Sequence, residues 1–148
     1  MKYLILTYYY KPDFSAGSFR STALTKAMQD NDTVESGIVF TTQPQRYGHQ
    51  NEFVPYEKRG KITIIRFNTI AHNNNFIKQI IAFLIYGIKS IFAGVKQAKE
   101  YQIIFVTSSR LGSLILGYFL ACFLNKPLYV DIRDIFSDNI RSILRKKS

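Results

Sequence analysis

Apolar residues along this chain follow two rhythms. Short, nearly unbroken apolar runs recur at YLILT (3–7), KITIIRFNT (61–69) and QIIFVTSS (102–109), joined by VESGIVFTT (34–42) and PLYVDIRD (127–134). Runs that stay apolar at successive positions suit strands buried on both faces, as in parallel sheets. Between them lie longer segments with helical spacing. One helix is expected from near Ser18, carrying Phe19, Ala23, Leu24 and Ala27 on one side. A second is expected over Phe76–Lys99 after the break at Asn73-Asn74-Asn75, and a third over the apolar segment Leu111–Leu124. Asp138–Lys147 has the character of a further helix start. Gln43–Lys61 is polar, contains prolines and the cluster Lys58-Arg59-Gly60-Lys61, and reads as a loop.

Alternation of strands with helices predicts an α/β fold: a Rossmann-like open parallel sheet with helices on both faces. At 148 residues the chain suits a single domain, large enough to bury a core without staples. The lone Cys122 cannot form an internal disulfide, and its place in an apolar helix suggests a buried small hydrophobe. The start, Met1-Lys2 leading into YLILTYYY, lacks the small-residue cleavage site of a secretory leader. The longest uncharged apolar stretch, Leu111–Asn125, is shorter than the roughly 20 residues a bilayer needs. A cytoplasmic location is the expectation.

Charge changes the picture. Twenty basic against ten acidic residues leave a net charge of +10. Such a surface favours anionic partners, whether phosphates, nucleic acid or acidic headgroups. The sequence carries no recognised nucleic-acid-binding motif, and its basic residues are spread rather than gathered on one element, so nucleic acid is not expected as a partner.

In open α/β sheets ligands sit beyond the carboxyl ends of the strands. The segments there are Tyr8–Arg20, Asn68–Asn75 with His72, Ser108-Ser109-Arg110, and Arg133-Asp134 with Ser137 and Asp138. Gly17 lies near a helix N-terminus, where backbone N–H groups and the helix dipole favour an anion. Arg20, one turn further, adds a charge. A plain strand-to-helix turn explains the same residues, since neither GxGxxG nor a Walker motif is present. Tyr8, Tyr9 and Tyr10 offer rings for sugar stacking and phenols for hydroxyls, against a bland reading as half core, half surface. His72 in its Asn-rich loop suits a solvated side chain better than a base, and His49 lies in the polar stretch. No His, Cys, Asp or Glu spacing suggests a metal site. At the fifth strand, Asp131-Ile132-Arg133-Asp134 ends an apolar run in charges, which suits either an internal ion pair or a polar site for a polyhydroxy ligand.

With those residues in view, the chain resembles the N-terminal half of a family-4 glycosyltransferase of the GT-B fold, closest to the branch that builds bacterial surface and capsular polysaccharides. The resemblance rests on ILTYYYKPDFSAGSFRSTALTKAM, on EKRGKITIIRF and on IIFVTSSRLGSLILGYFLACFLNKPLYVDIRDIFSDNI. It implies an acceptor-side domain that faces a nucleotide-sugar donor across a cleft, retaining transfer to a glycan or lipid-linked acceptor, and no metal or other cofactor. It also implies that Ala16, Gly17, Ser18 and Arg20 approach the donor diphosphate. Tyr9, Tyr10, His72, Ser108, Ser109 and Arg110 would line the acceptor side, and Arg133 and Asp134 would orient the acceptor hydroxyl. Many members place a histidine near the fourth strand, where this chain has Ser108-Ser109-Arg110. The family's donor-binding domain, with its acidic motif, is absent from this sequence. The chain is therefore expected to be inactive alone, as an excised domain, a truncated product or a non-catalytic subunit of a split enzyme that recruits a donor-binding chain.

Projection of Phe76–Lys99 onto a helix adds a surface. At about 100° per residue, Lys78, Lys89 and Lys96 fall within roughly 20° of one another. Apolar residues cover about 200°, more than core packing requires. Ile81, Ile85 and Phe92 lie beside the lysines, a geometry that suits peripheral contact with the inner face of a membrane. A covering loop, a partner chain or another domain would suit it equally.

Overall fold

Lys2–Leu6 forms β1, the central strand, and its burial on both faces explains the unbroken apolar run. It runs parallel to β2 (Ser36–Thr42) on one side and to β5 (Ile103–Thr107) on the other, with Leu4 opposite both Ile38 and Ile104. The computed structural model describes residues 1–44, 54–71, 75–107 and 111–132. The remaining elements are α1 (Ala16–Gln29), β3 (Tyr56–Arg59), β4 (Ile62–Phe67), α2 (Phe76–Lys96), α3 (Leu111–Leu124) and β6 (Leu128–Asp131). A single 3-10 turn, Ala98–Glu100, follows α2.

The sheet order is β3-β4-β2-β1-β5-β6, and every pairing is parallel except that of β3 with β4. The fold is thus an α/β, Rossmann-like open sheet. Strands spread from β1 in both directions, so the switch point lies between β1 and β5. That arrangement opens a crevice at the carboxyl ends of these strands.

β3 corrects the expectation of a loop through Lys61. Tyr56–Arg59 pairs antiparallel with β4 through the turn at Gly60 and Lys61. Gly60 sits at φ +56°, a left-handed backbone that a side chain would strain. β3 escapes a hydrophobic scan because it is an edge strand, with Tyr56, Lys58 and Arg59 exposed.

Helices cover both faces. α2 and α3 pack over Leu4, Leu6, Phe40, Ile104 and Val106. Leu24 and Met28 of α1 pack over Tyr3, Ile5, Val39, Ile62 and Ile64 on the other face. The inward face of α1 differs from the expected one. Phe19, Ala23 and Ala27 point outward, while Ser18, Ser21 and Thr25 are buried. Their hydroxyls make this possible: Ser21 Oγ donates to the Gly17 carbonyl (2.8 Å) and Thr25 Oγ1 to the Thr22 carbonyl (2.9 Å). Satisfied in this way, Ser21 and Thr25 enter a core at little cost.

α2 enters at Asn75, whose side chain accepts from the Lys78 N–H, and it ends three residues before the expected Lys99. Its buried stripe is Ala82, Tyr86, Ser90 and Gly94, small residues around one tyrosine. The Tyr86 hydroxyl lies 3.1 Å from the Phe40 carbonyl and 3.3 Å from that of Thr7. Burial pushes its pKa upward, so it stays a donor. α3 crosses closely: a Cβ on Gly112 would lie 2.4 Å from the Phe83 ring. Asn125, at φ 50°, ends α3. Cys122 is exposed on the outer side of α3, which corrects the expectation of burial.

Candidate functional site at the carboxyl ends of the strands

The chain leaves β1 at Thr7, which is fully buried beside the switch point. Its Oγ1 donates to the Tyr9 carbonyl (3.0 Å) and lies 2.9 Å from Ser21 Oγ on α1. Thr107, ending β5, donates from Oγ1 to Thr7 Oγ1 (3.0 Å). Three buried hydroxyls therefore tie β1, β5 and α1 together at the floor of the crevice. Thr42 Oγ1 donates to the Tyr8 carbonyl (2.8 Å), which fixes the neighbouring strand end.

The tyrosines that follow point inward, against expectation. Tyr8 packs edge-on against Tyr86 at 5.4 Å. Tyr9 joins the same cluster at 8% exposure. Tyr10 turns to the opposite face, where its hydroxyl meets Thr25 Oγ1 at 2.7 Å. Tyr8 and Tyr9 thus share the face under α2, Tyr10 takes the face under α1, and both faces are covered. The rings of Tyr9 and Tyr10, expected on the acceptor side, are packed into the core and present little surface there.

Lys11–Ser15 then crosses the rim to α1. Ser15 caps the helix, its Oγ accepting from the Ser18 N–H at 3.1 Å. Ala16, Gly17 and Ser18 form the first turn rather than a loop ahead of the helix. Ser18 is buried and its amide already serves the cap, so the cap would have to yield before that amide met an anion. Arg20 turns toward β6, with a guanidinium nitrogen 2.7 Å from Asp131 Oδ1. Asp131 pairs in register with Thr107, so the start of the Asp-Ile-Arg-Asp stretch lies on the same rim. Arg133 and Asp134 lie outside the described residues, as do His72, Ser108, Ser109 and Arg110.

A cavity lies on the α1 side of this rim. It measures about 810 Å³ and is lined by Lys11, Pro12, Asp13, Phe14, Phe19, Val54, Glu57, Arg59 and Arg66. Phe14 and Phe19 meet edge to face, 6.2 Å between ring centres. Arg66 is buried on the inner face of β4 and donates to the carbonyls of Lys11 (2.9 Å) and Val54 (3.3 Å). It also lies 2.8 Å from Glu57 Oε2, and Arg59 contacts the other oxygen of the same carboxylate. Burial opposes ionisation of Glu57, but hydrogen bonds from Arg59 and Arg66 outweigh it and hold the carboxyl below its ordinary range. Asp13 is buried beside them. The result is a concavity with aromatic faces on one side and oriented charges on the other, a combination that suits a small polar ligand with apolar ring faces. Sequence reasoning placed Lys11–Phe14 and Phe19 at the strand ends but missed Val54, Glu57 and Arg66 beside them. The signal was Arg66, a lone charge inside the apolar run ITIIRF.

Among the described residues no group of His, Cys, Asp and Glu could hold a metal ion. Of the residues expected at a membrane, Lys78, Ile81, Lys89, Phe92 and Lys96 are exposed and Ile85 is half-buried. Lys89 Nζ also reaches the Asn68 carbonyl at 2.7 Å.

Comparison with known proteins adds the fold and little more. No family model matches the chain, and no curated protein matches it. Among solved structures it is similar to the C-terminal domain of a hydrogenase from Pyrococcus furiosus, with a TM-score of 0.55 and 15% identity over 88% of this chain and 91% of that one. At that identity the likeness shows the open α/β fold alone.

Proposed function

We propose that this chain is the acceptor-side domain of a retaining glycosyltransferase of the GT-B type. In this reading it holds a glycan or lipid-linked acceptor at the carboxyl edge of its sheet, while a second domain or partner chain holds the nucleotide sugar. The observation that carries the reading is the cavity itself. It borders the segment that leaves the carboxyl end of β1, on the side of the β3–β4 hairpin, and it is large enough for one or two sugar rings. Phe14 and Phe19 offer ring faces, and Asp13, Arg59 and Glu57 offer groups for hydroxyls.

The resemblance of the Asp-Ile-Arg-Asp stretch supplies the rest. Arg133 and Asp134 would orient the attacking hydroxyl, and the α1 N-terminus with Arg20 would approach the leaving diphosphate. Transfer then depends on positioning across the two halves, so the chain alone binds without turning over. No metal or cofactor enters this scheme, and the setting is the cytoplasmic side of the cell membrane.

Calorimetric titration with a panel of oligosaccharides tests the proposal. Saccharide binding that Phe14→Ala weakens is the expected result. Binding of a nicotinamide dinucleotide, with no saccharide bound by the folded chain, would overturn it.

A further inference from the structure

A second surface stands apart from the crevice. α2 is 21 residues long and apolar enough to cross a membrane by length and composition. Its inner stripe is nevertheless fixed to the sheet, with Ala82 and Tyr86 fully buried and the Tyr86 hydroxyl bonded to strand carbonyls. A helix held in this way cannot insert across a bilayer without tearing open the core.

The opposite side of α2 is exposed and carries no polar group. Leu84 is 56% exposed, Ile88 55% and Phe92 73%. Between the buried stripe and the lysine row, the outward arc of the helix is entirely hydrophobic. α3 packs beside α2 and continues the surface with Tyr118, Phe119 and Phe123, the last 76% exposed. From Leu111 to Asn125 α3 carries no charge. Exposed apolar patches of this extent mark a surface that meets something.

We propose that the outer face of α2 and α3 lies in the interface of an anionic lipid bilayer, parallel to its plane. Charge complementarity selects this occupant. Lys78, Lys89 and Lys96 form a row along one shoulder of the apolar strip, within reach of headgroups when the strip sits among acyl chains. The whole chain carries +10, which draws it to an anionic surface and makes two copies repel. A protein partner fits less well. Interfaces between proteins carry about one hydrogen bond per 100–200 Å², whereas Tyr118 is the only hydroxyl among the large exposed side chains named here on the two helices. Hydrocarbon asks for no hydrogen bonds. Tyr118 suits the headgroup boundary, and Phe92, Phe119 and Phe123 suit the acyl chains beneath it. This inference does not depend on sugar transfer.

Co-sedimentation of the folded chain with vesicles tests it. Vesicles with about one-third phosphatidylglycerol in phosphatidylcholine should retain the protein, and pure phosphatidylcholine should retain it weakly. Leu84→Asp with Phe119→Asp, both on the exposed surface, should abolish retention while circular dichroism stays unchanged. Lys78→Gln with Lys96→Gln should weaken retention roughly 25-fold, at about fivefold per lysine. Failure to pellet with anionic vesicles would overturn the proposal. So would a dimer in solution that Leu84→Asp dissolves, because the face would then belong to a second copy.

Discussion

Arg20 on α1 and Asp131 at the end of β6, 111 positions apart in sequence, meet at 2.7 Å across the top of the sheet. Both are partly exposed, at 58% and 26% of the side chain. Exposed pairs contribute little to stability. Arg20→Ala should therefore lower the unfolding free energy by less than about 1 kcal/mol in urea. A larger loss would mean that Arg20 holds α1 to the sheet. In that case its availability to a ligand would be in question.

Tyr86 joins α2 to two strands with one hydroxyl, through the carbonyls of Phe40 and Thr7. Removing this donor deletes a buried hydrogen bond, while the Phe40 carbonyl keeps the Thr7 N–H at 3.1 Å. Tyr86→Phe should destabilise the fold by about 0.5–1.5 kcal/mol, read from the midpoint of chemical unfolding. An unchanged midpoint would show that the contact makes no net contribution.

Gly37 on β2 lies against the Tyr3 ring, and an added Cβ would come within 2.3 Å of Tyr3 Cζ. Tyr3 is fully buried and cannot swing out. Gly37→Ala should cost about 1–3 kcal/mol through overpacking. Gly37→Ala combined with Tyr3→Leu should recover part of it in the same assay. No recovery would point to a backbone cause instead.

Glu57 links the edge hairpin to pH. Its folded pKa lies below the ordinary value, so the folded state favours the ionised form. The resulting stability is fully present above the usual glutamate value of roughly 4.3 and is lost as pH falls through the lower folded value. Hydrogen exchange at the β3 amides should thus quicken in acid relative to the β1 amides. Glu57→Gln should remove most of that difference. Equal acid sensitivity in both strands would assign the effect to global unfolding.

Particular residues show what could be read without coordinates. β1 and β5 were legible because the chain needs apolar side chains on both faces of a central strand, as Leu4, Ile5, Ile104 and Val106 illustrate. β3 was not legible, since an edge strand of Tyr-Glu-Lys-Arg carries no hydrophobic rhythm. The register of α1 misled because hydrophobicity sent Phe19 inward, whereas hydroxyl pairing let Ser21 and Thr25 take the core. The crevice floor escaped notice for a related reason. Thr7, Ser21 and Thr107 are ordinary residues until topology brings them together. The cavity charges depended on Arg66 and Glu57 meeting across the hairpin, which only a strand at 56–59 permits.

Because α2 and α3 cover the same side of the sheet, a membrane against them would run parallel to the layer of strands. The carboxyl ends of the strands would then look sideways along the lipid surface, and the cavity on the α1 side would sit on the face of the sheet turned away from it. A ligand would then reach that cavity from the water side, past Phe14 and Phe19.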